Sequence, residues 1–179
     1  MVLSIVKIGH PVLRRICPLV KKGSLRSPGL HQLIGRMVAT MRKADGVGLA
    51  ANQVAAPIKL VVLECASNRR YPGRDDFPLE VLINPRILKY SKDTVRDWEG
   101  CLSIPGYRGI VARSRQVTYS AITPEGKKIM RTVSGFCARV IQHEVDHVNG
   151  LVYMDRMKDL RHWVHLDNLE PKSVRLVEQ

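Results

Sequence analysis

The sequence predicts an α+β domain, on three observations. An amphipathic helical stripe stands near the amino end. Short β-branched runs follow it through the middle of the chain, and a second, apolar-flanked helix comes after them. At 179 residues, 45% of them apolar, residues 1–179 read as one domain large enough to bury its own core.

Each element has its own local reason. Ser4 to Arg15 reads as extended strand or loop, broken by Gly9 and Pro11. Ser27 is a candidate N-cap with Pro28 at the first helical position. Leu30, Leu33, Ile34, Met37, Val38 and Met41 then recur at spacings of three and four. Gly46 and Gly48 end that pattern. Ile58–Glu64 is a short β-branched strand, and a polar, turn-rich stretch from Ser67 to Pro78 separates it from Leu79–Pro85. Gln116–Thr123 and Ile129–Ser134 read as a hairpin joined at Pro124, Glu125 and Gly126. The second helix runs from about Gly135 to Val148 and stops near Asn149 and Gly150. The segment after Pro171 has no clear pattern.

No apolar run approaches the roughly 18–20 residues that cross a bilayer, and the opening residues lack the pattern of a secretory signal. A soluble, intracellular chain without membrane contact is expected. The four cysteines, Cys17, Cys65, Cys101 and Cys137, are widely spaced and expected to be reduced. The net charge is +13, and residues 1–45 alone hold nine basic groups against one acid. Such a balance points towards polyanionic surroundings. Aromatics are scarce and do not alternate with the basic groups, and no nucleic-acid motif is present, so sequence-specific nucleic-acid binding is not expected.

The chemistry lies in His143-Glu144-Val145-Asp146-His147. Two histidines at i and i+4 share one helical face, so both imidazoles can reach one metal ion. Glu144 sits about 100° round from His143, close enough to hydrogen-bond a water on the metal without ligating it. The third ligand decides the reaction class. The pattern HExxHxxGxxH fails here, because Tyr153 holds the place of its third histidine. Two candidates remain: Glu170, downstream but followed by Pro171, and Cys101 upstream, in Trp98-Glu99-Gly100-Cys101-Leu102-Ser103. Cys101 is the better fit, giving a Cys-His-His site whose fourth position stays open for water. A third segment, Gly46-Val47-Gly48-Leu49-Ala50-Ala51-Asn52-Gln53, is small enough to let a peptide approach the main chain. Gln53 is either an amide donor to a developing oxyanion or a surface residue of a tight turn.

GVGLAANQ, EGCLS and QHEVDH, in that order, closely resemble the three signature segments of peptide deformylases. The likeness runs from about Ile5 to Met157 and includes the GHPVLR opening and Ile83-Asn84-Pro85. It departs at Asn52, at Val148 where Leu is usual, and at His10 where Asp is common. The tail, residues 159–179, matches poorly. It holds three basic and four acidic groups, unlike the basic ribosome-docking helix of some bacterial members.

The resemblance implies antiparallel sheets packed around a central C-terminal helix carrying HEVDH. It implies removal of the formyl group from the N-terminal formyl-methionine of nascent polypeptides, with release of formate. Cys101, His143 and His147 would hold one divalent metal; the resemblance suggests iron(II), and the ligand set also accepts zinc, nickel or cobalt. Glu144 would be the acid and base, and Gln53 with the backbone N–H of Leu102 would stabilise the oxyanion. Val47, Phe136 and Val140 would form the methionine pocket, flanked by the stem of Arg139. Val47, Gly48 and Gly100 would meet the peptide main chain. Glu99 and Arg113 would pair to fix the Cys101 loop. A bacterial cytoplasm is the expected location, although a mature organellar chain would read alike. Weak electrostatic contact with the ribosome would fall to the basic N-terminal face.

Overall fold

Ser27 opens the first helix as the sequence suggests. Its side chain accepts a hydrogen bond from Leu30 N at 3.3 Å, and Pro28 starts helix α1, Pro28–Lys43. The computed structural model of the protein describes residues 2–66 and 68–169. Strand β1, Gly48–Ala50, follows, then a 3-10 turn at Ala51–Val54 and strand β2, Leu60–Cys65. Strand β3 spans Phe77–Tyr90, strand β4 Thr94–Cys101 and strand β5 Ile104–Ser114. The expected hairpin is β6, Gln116–Ile122, with β7, Lys128–Ser134. It leads directly into helix α2, Gly135–Val148, and a short strand β8, Trp163–His165, comes near the end of the described chain, before a 3-10 turn at Leu166–Asn168.

The strands form two antiparallel sheets. One has five strands in the order β1-β2-β3-β6-β7, the other three in the order β4-β5-β8. Strand β2 is apolar without alternation because both its faces are covered. Leu60 and Val62 pack with Met37, Val38 and Met41 of α1, while Val61 and Leu63 pack with Val140, Ile141 and Val145 of α2. On its other side α2 meets the three-stranded sheet, where Arg139 donates to Val111 O at 3.0 Å. The layers therefore run α1, five-stranded sheet, α2, three-stranded sheet. Helix α2 lies in the middle, and from Phe136 to Val148 only Cys137 is not fully buried.

Two differences from the sequence reading have physical causes. The Leu79–Pro85 strand is longer at both ends because Asn84 absorbs an irregularity inside it, at a φ of +54°. The Asn84 amide accepts from Val20 N at 2.8 Å and donates to Val20 O at 3.0 Å, which holds that conformation. The β4–β5 hairpin gives no apolar alternation in the sequence, because its inward positions include Asp97, Glu99 and Arg113, all buried and charged.

Candidate metal centre

Helix geometry brings His143 and His147 together, with ring centroids 4.9 Å apart. Cys101 arrives from the end of β4, where the ladder with β5 shifts register between Gly100 and Cys101. Its sulfur lies 3.2 Å from His147 Nε2. The candidate ligand atoms of Cys101, His143 and His147 all fall within 4.8 Å of one another, and all three residues are buried. One thiolate and two imidazoles at this separation suit a four-coordinate divalent ion with one position left open.

The amino-terminal segment ties the surrounding loops together. Val6 N donates to Gln53 O at 2.9 Å and Ile8 N to Ser103 O at 2.8 Å, while Lys7 Nζ reaches Leu102 O at 3.0 Å. Gln53 is buried, which removes the reading of a surface turn residue. Its Oε1 accepts from Ala50 N at 2.8 Å. Its Nε2 donates to Ser103 Oγ at 3.2 Å and lies 3.4 Å from the Cys101 sulfur.

Behind the cluster runs a buried ionic network. Arg113 grips both oxygens of Glu99, at 2.9 and 3.0 Å. Arg139 donates to Glu99 at 2.7 Å, and His143 Nδ1 meets the other Glu99 oxygen at 2.9 Å. Arg113, buried, and Arg156, at the surface end of the network, both bond to Asp146. Burial alone would raise the Glu99 carboxyl pKa, but Arg113 and His143 hold it well below the usual range. A charged Glu99 fixes the His143 ring with Nδ1 turned away, leaving Nε2 as its free ligand nitrogen. Cys101 follows the same logic: burial opposes the thiolate, and His147 and His143 overcome it, so its pKa falls well below normal.

Glu144 behaves in the opposite way. Its burial dominates the attraction of His143 and His147, and its carboxyl is pushed up to about 7, a value suited to giving and taking protons. One of its oxygens, Oε2, is buried without a hydrogen-bond partner. Gly48 leaves the room for this side chain, since a Cβ there would stand 2.3 Å from Glu144 Oε1.

A cleft of about 440 Å³, its open mouth included, collects almost every residue the sequence singled out. Val47, Gly48, Gln53, Gly100, Cys101, Leu102, Phe136, Arg139, Val140, His143 and Glu144 all line it. His147 lies behind, fully buried.

The comparisons with known proteins agree with this geometry. The family model described as polypeptide deformylase matches residues 2–163. The chain belongs to the polypeptide deformylase family. Over 171 residues it is 42% identical to peptide deformylase 2 of Pseudomonas putida and 40% identical to peptide deformylase 1 of Nitrosomonas europaea, covering 96% of each chain. It is also similar to a class I type b peptide deformylase of Acinetobacter baumannii crystallised with Met-Ala-Ser. That match has a TM-score of 0.85 at 38% identity over 88% of this chain and 99% of that one. The family activity is metal-dependent hydrolysis of the formyl group on nascent peptides, and this deformylase is a hydrolase of that kind with a Cys-His-His cluster for one metal.

In the deformylase cleft several groups lie where sequence reasoning did not look. Tyr71, from the polar stretch after β2, packs its ring 5.1 Å from Phe136 and points its hydroxyl to Gly100 O at 3.5 Å. The guanidinium of Arg108 lies 5.1 Å over the same ring, and Arg70 also lines the cleft. An aromatic within a run of charges was the available signal. Arg139 is among the residues that line the cleft, and its guanidinium is committed to Glu99 and to the Val111 and Val95 carbonyls. Tyr153, in the place of a third histidine, stacks over His143 at 6.2 Å. The Val47 carbonyl is committed to Glu64 N at 3.0 Å. Glu170 lies outside the described residues, as does the tail beyond it. Among the described residues no helix is long and apolar enough to cross a membrane.

Proposed function

We propose that the residues of this cleft divide the deformylation of N-formyl-methionyl peptides as follows. Cys101, His143 and His147 would hold one divalent ion. When bound, the ion supplies Lewis-acid activation of the hydrolytic water and of the formyl carbonyl. Glu144 takes the proton of the attacking water and passes it to the departing amine as the C–N bond breaks, leaving formate and a free amino terminus. Gln53 Nε2, one of whose N–H groups rests only on the Cys101 sulfur, and the Leu102 N–H stabilise the developing oxyanion.

Val47, Phe136 and Val140 receive the methionine side chain. Gly48 and Gly100, with the remaining backbone group of Val47, meet the peptide main chain. β1 is the outer strand of its sheet, so its far edge can pair with an extended chain. The Met-Ala-Ser peptide held by the Acinetobacter baumannii relative supports a substrate of this form. The observation that carries the reading is the unpartnered, buried Glu144 Oε2 beside a Cys-His-His cluster.

The resident metal in this reading is iron(II), consistent with one soft thiolate and two imidazoles. The working location is the bacterial cytoplasm. Lys21, Lys22 and Arg26, all exposed, would give weak, salt-dependent contact with ribosomal RNA. Formate release from formyl-Met-Ala-Ser tests the central assignment. Glu144→Ala keeps its metal and loses about 10²–10⁴-fold in turnover. Retained turnover removes Glu144 from its role, and cleavage of an internally quenched peptide without formate release marks an endopeptidase instead.

A further inference from the structure

The two histidines of the cluster are supported unequally. His143 turns its Nδ1 onto a carboxylate, Glu99, at 2.9 Å. His147 turns its Nε2 to the Cys101 sulfur, and its Nδ1 is buried with no hydrogen-bond partner. A neutral histidine that offers one nitrogen to a metal carries its proton on the other, so His147 Nδ1 is a donor that needs an acceptor. Unmet, such a group is costly in the dry interior.

The matching acceptor lies on a residue already bonded to His147. Asn52, itself fully buried, donates from Nδ2 to the His147 carbonyl at 2.5 Å. Its Oδ1 is buried and also has no partner. One orphaned donor and one orphaned acceptor thus sit on two residues in direct contact. The His147 carbonyl receives Gly150 N as well, at 3.0 Å, so Asn52 is not needed merely to satisfy it.

We propose that Asn52 is a positioning residue for the second imidazole: its Oδ1 accepts the Nδ1–H of His147 through one enclosed water that bridges the two unpartnered atoms. This fixes the tautomer and the ring angle from which Nε2 faces the metal position. Asn52 precedes Gln53 in the Ala51–Val54 turn. The same turn therefore orients a ligand with one side chain and presents an amide donor beside the cluster with the next. The inference rests on His147 being a ligand, as proposed above.

The test uses zinc-loaded full-length protein labelled with ¹⁵N-histidine. Two slowly exchanging Nδ1–H signals are expected, from His143 and His147. Asn52→Leu keeps the first, loses the second to solvent exchange, and releases zinc to excess chelator about ten-fold faster or more. Asn52→Asp removes the amide donor but keeps an acceptor, so it retains both signals and a release rate within a few-fold of the parent. A purely structural Asn52 would lower the melting temperature of the metal-free protein while leaving the His147 signal and the zinc release rate unchanged, and that result overturns the proposal. Should Asn52→Leu fail to fold, loss of the His147 signal in Asn52→Asp overturns it equally. Full zinc content in His147→Ala would defeat the ligand assignment itself, separately from the role of Asn52.

Discussion

Gly48→Ala offers the sharpest test of how closely the cleft is built. The added Cβ would stand 2.3 Å from Glu144 Oε1, 2.7 Å from its Cδ and 2.8 Å from its Cγ. Ordinary contact starts near 3.4 Å, so the Glu144 carboxyl has to move by about 1 Å. Both sides are constrained. Glu144 is buried on α2, and Gly48 is fixed by its pairing with Leu63 on β2. A misplacement of about 1 Å in a reacting group costs on the order of 10²-fold in rate, or about 2.7 kcal/mol of barrier. Metal content is expected to hold, since the three atoms nearest the added Cβ all belong to Glu144 and not to a candidate ligand. The assay is formate release from formyl-Met-Ala-Ser, with metal analysis and a thermal melt of the same sample. Turnover within three-fold of the parent, in a folded and metal-loaded variant, would refute the claim that Gly48 makes room for a working Glu144.

Two further expectations come from the titrating groups. Asp146 is held below its ordinary pKa, because Arg156 and Arg113 outweigh the effect of burial. Its stabilisation is therefore fully present above the unfolded value of about 3.9 and is lost as pH falls through the lower folded value. The stability gap between the parent and Asp146→Asn, measured by urea unfolding, should be constant from pH 5 to 7 and shrink below pH 4; a gap independent of pH removes this ion pair from the account. The cysteines differ as well. Burial raises the thiols of Cys17 and Cys65 and pushes Cys137 up to about 11, whereas Cys101 is lowered by its two histidines. After metal removal, iodoacetamide at pH 7 should label Cys101 first, and reloading with zinc should protect it. Preferential labelling of the more exposed Cys137, read by peptide mass mapping, would contradict the assignment.

The sequence by itself determined the chemistry of this protein. His143 and His147 are one helical turn apart, and that spacing alone places two imidazoles on one face. The apolar periodicity of Leu30 to Met41 and of the residues flanking HEVDH likewise set both helices nearly to the residue, because a helix is defined by contacts three and four positions apart. Cys101 was legible by elimination, once Tyr153 stood in the place of a third histidine, and Gln53 only through the order of the three segments, since nothing local separates a buried amide donor from a surface turn residue.

What the tertiary structure alone decided involves groups far apart in the chain. The β4–β5 hairpin shows no alternation because Glu99 and Arg113 face inward, and they can do so only where Arg139, His143 and Asp146 neutralise them. Tyr71 gains its place against Phe136 only when the stretch after β2 folds over the cleft. Gly48 reads as a loop residue in the sequence and becomes the space for Glu144, 96 positions away, once α2 passes behind β1. Local pattern records which face of an element is apolar. It holds no record of which charges will meet in the interior, because each can be buried only with partners supplied by other parts of the chain.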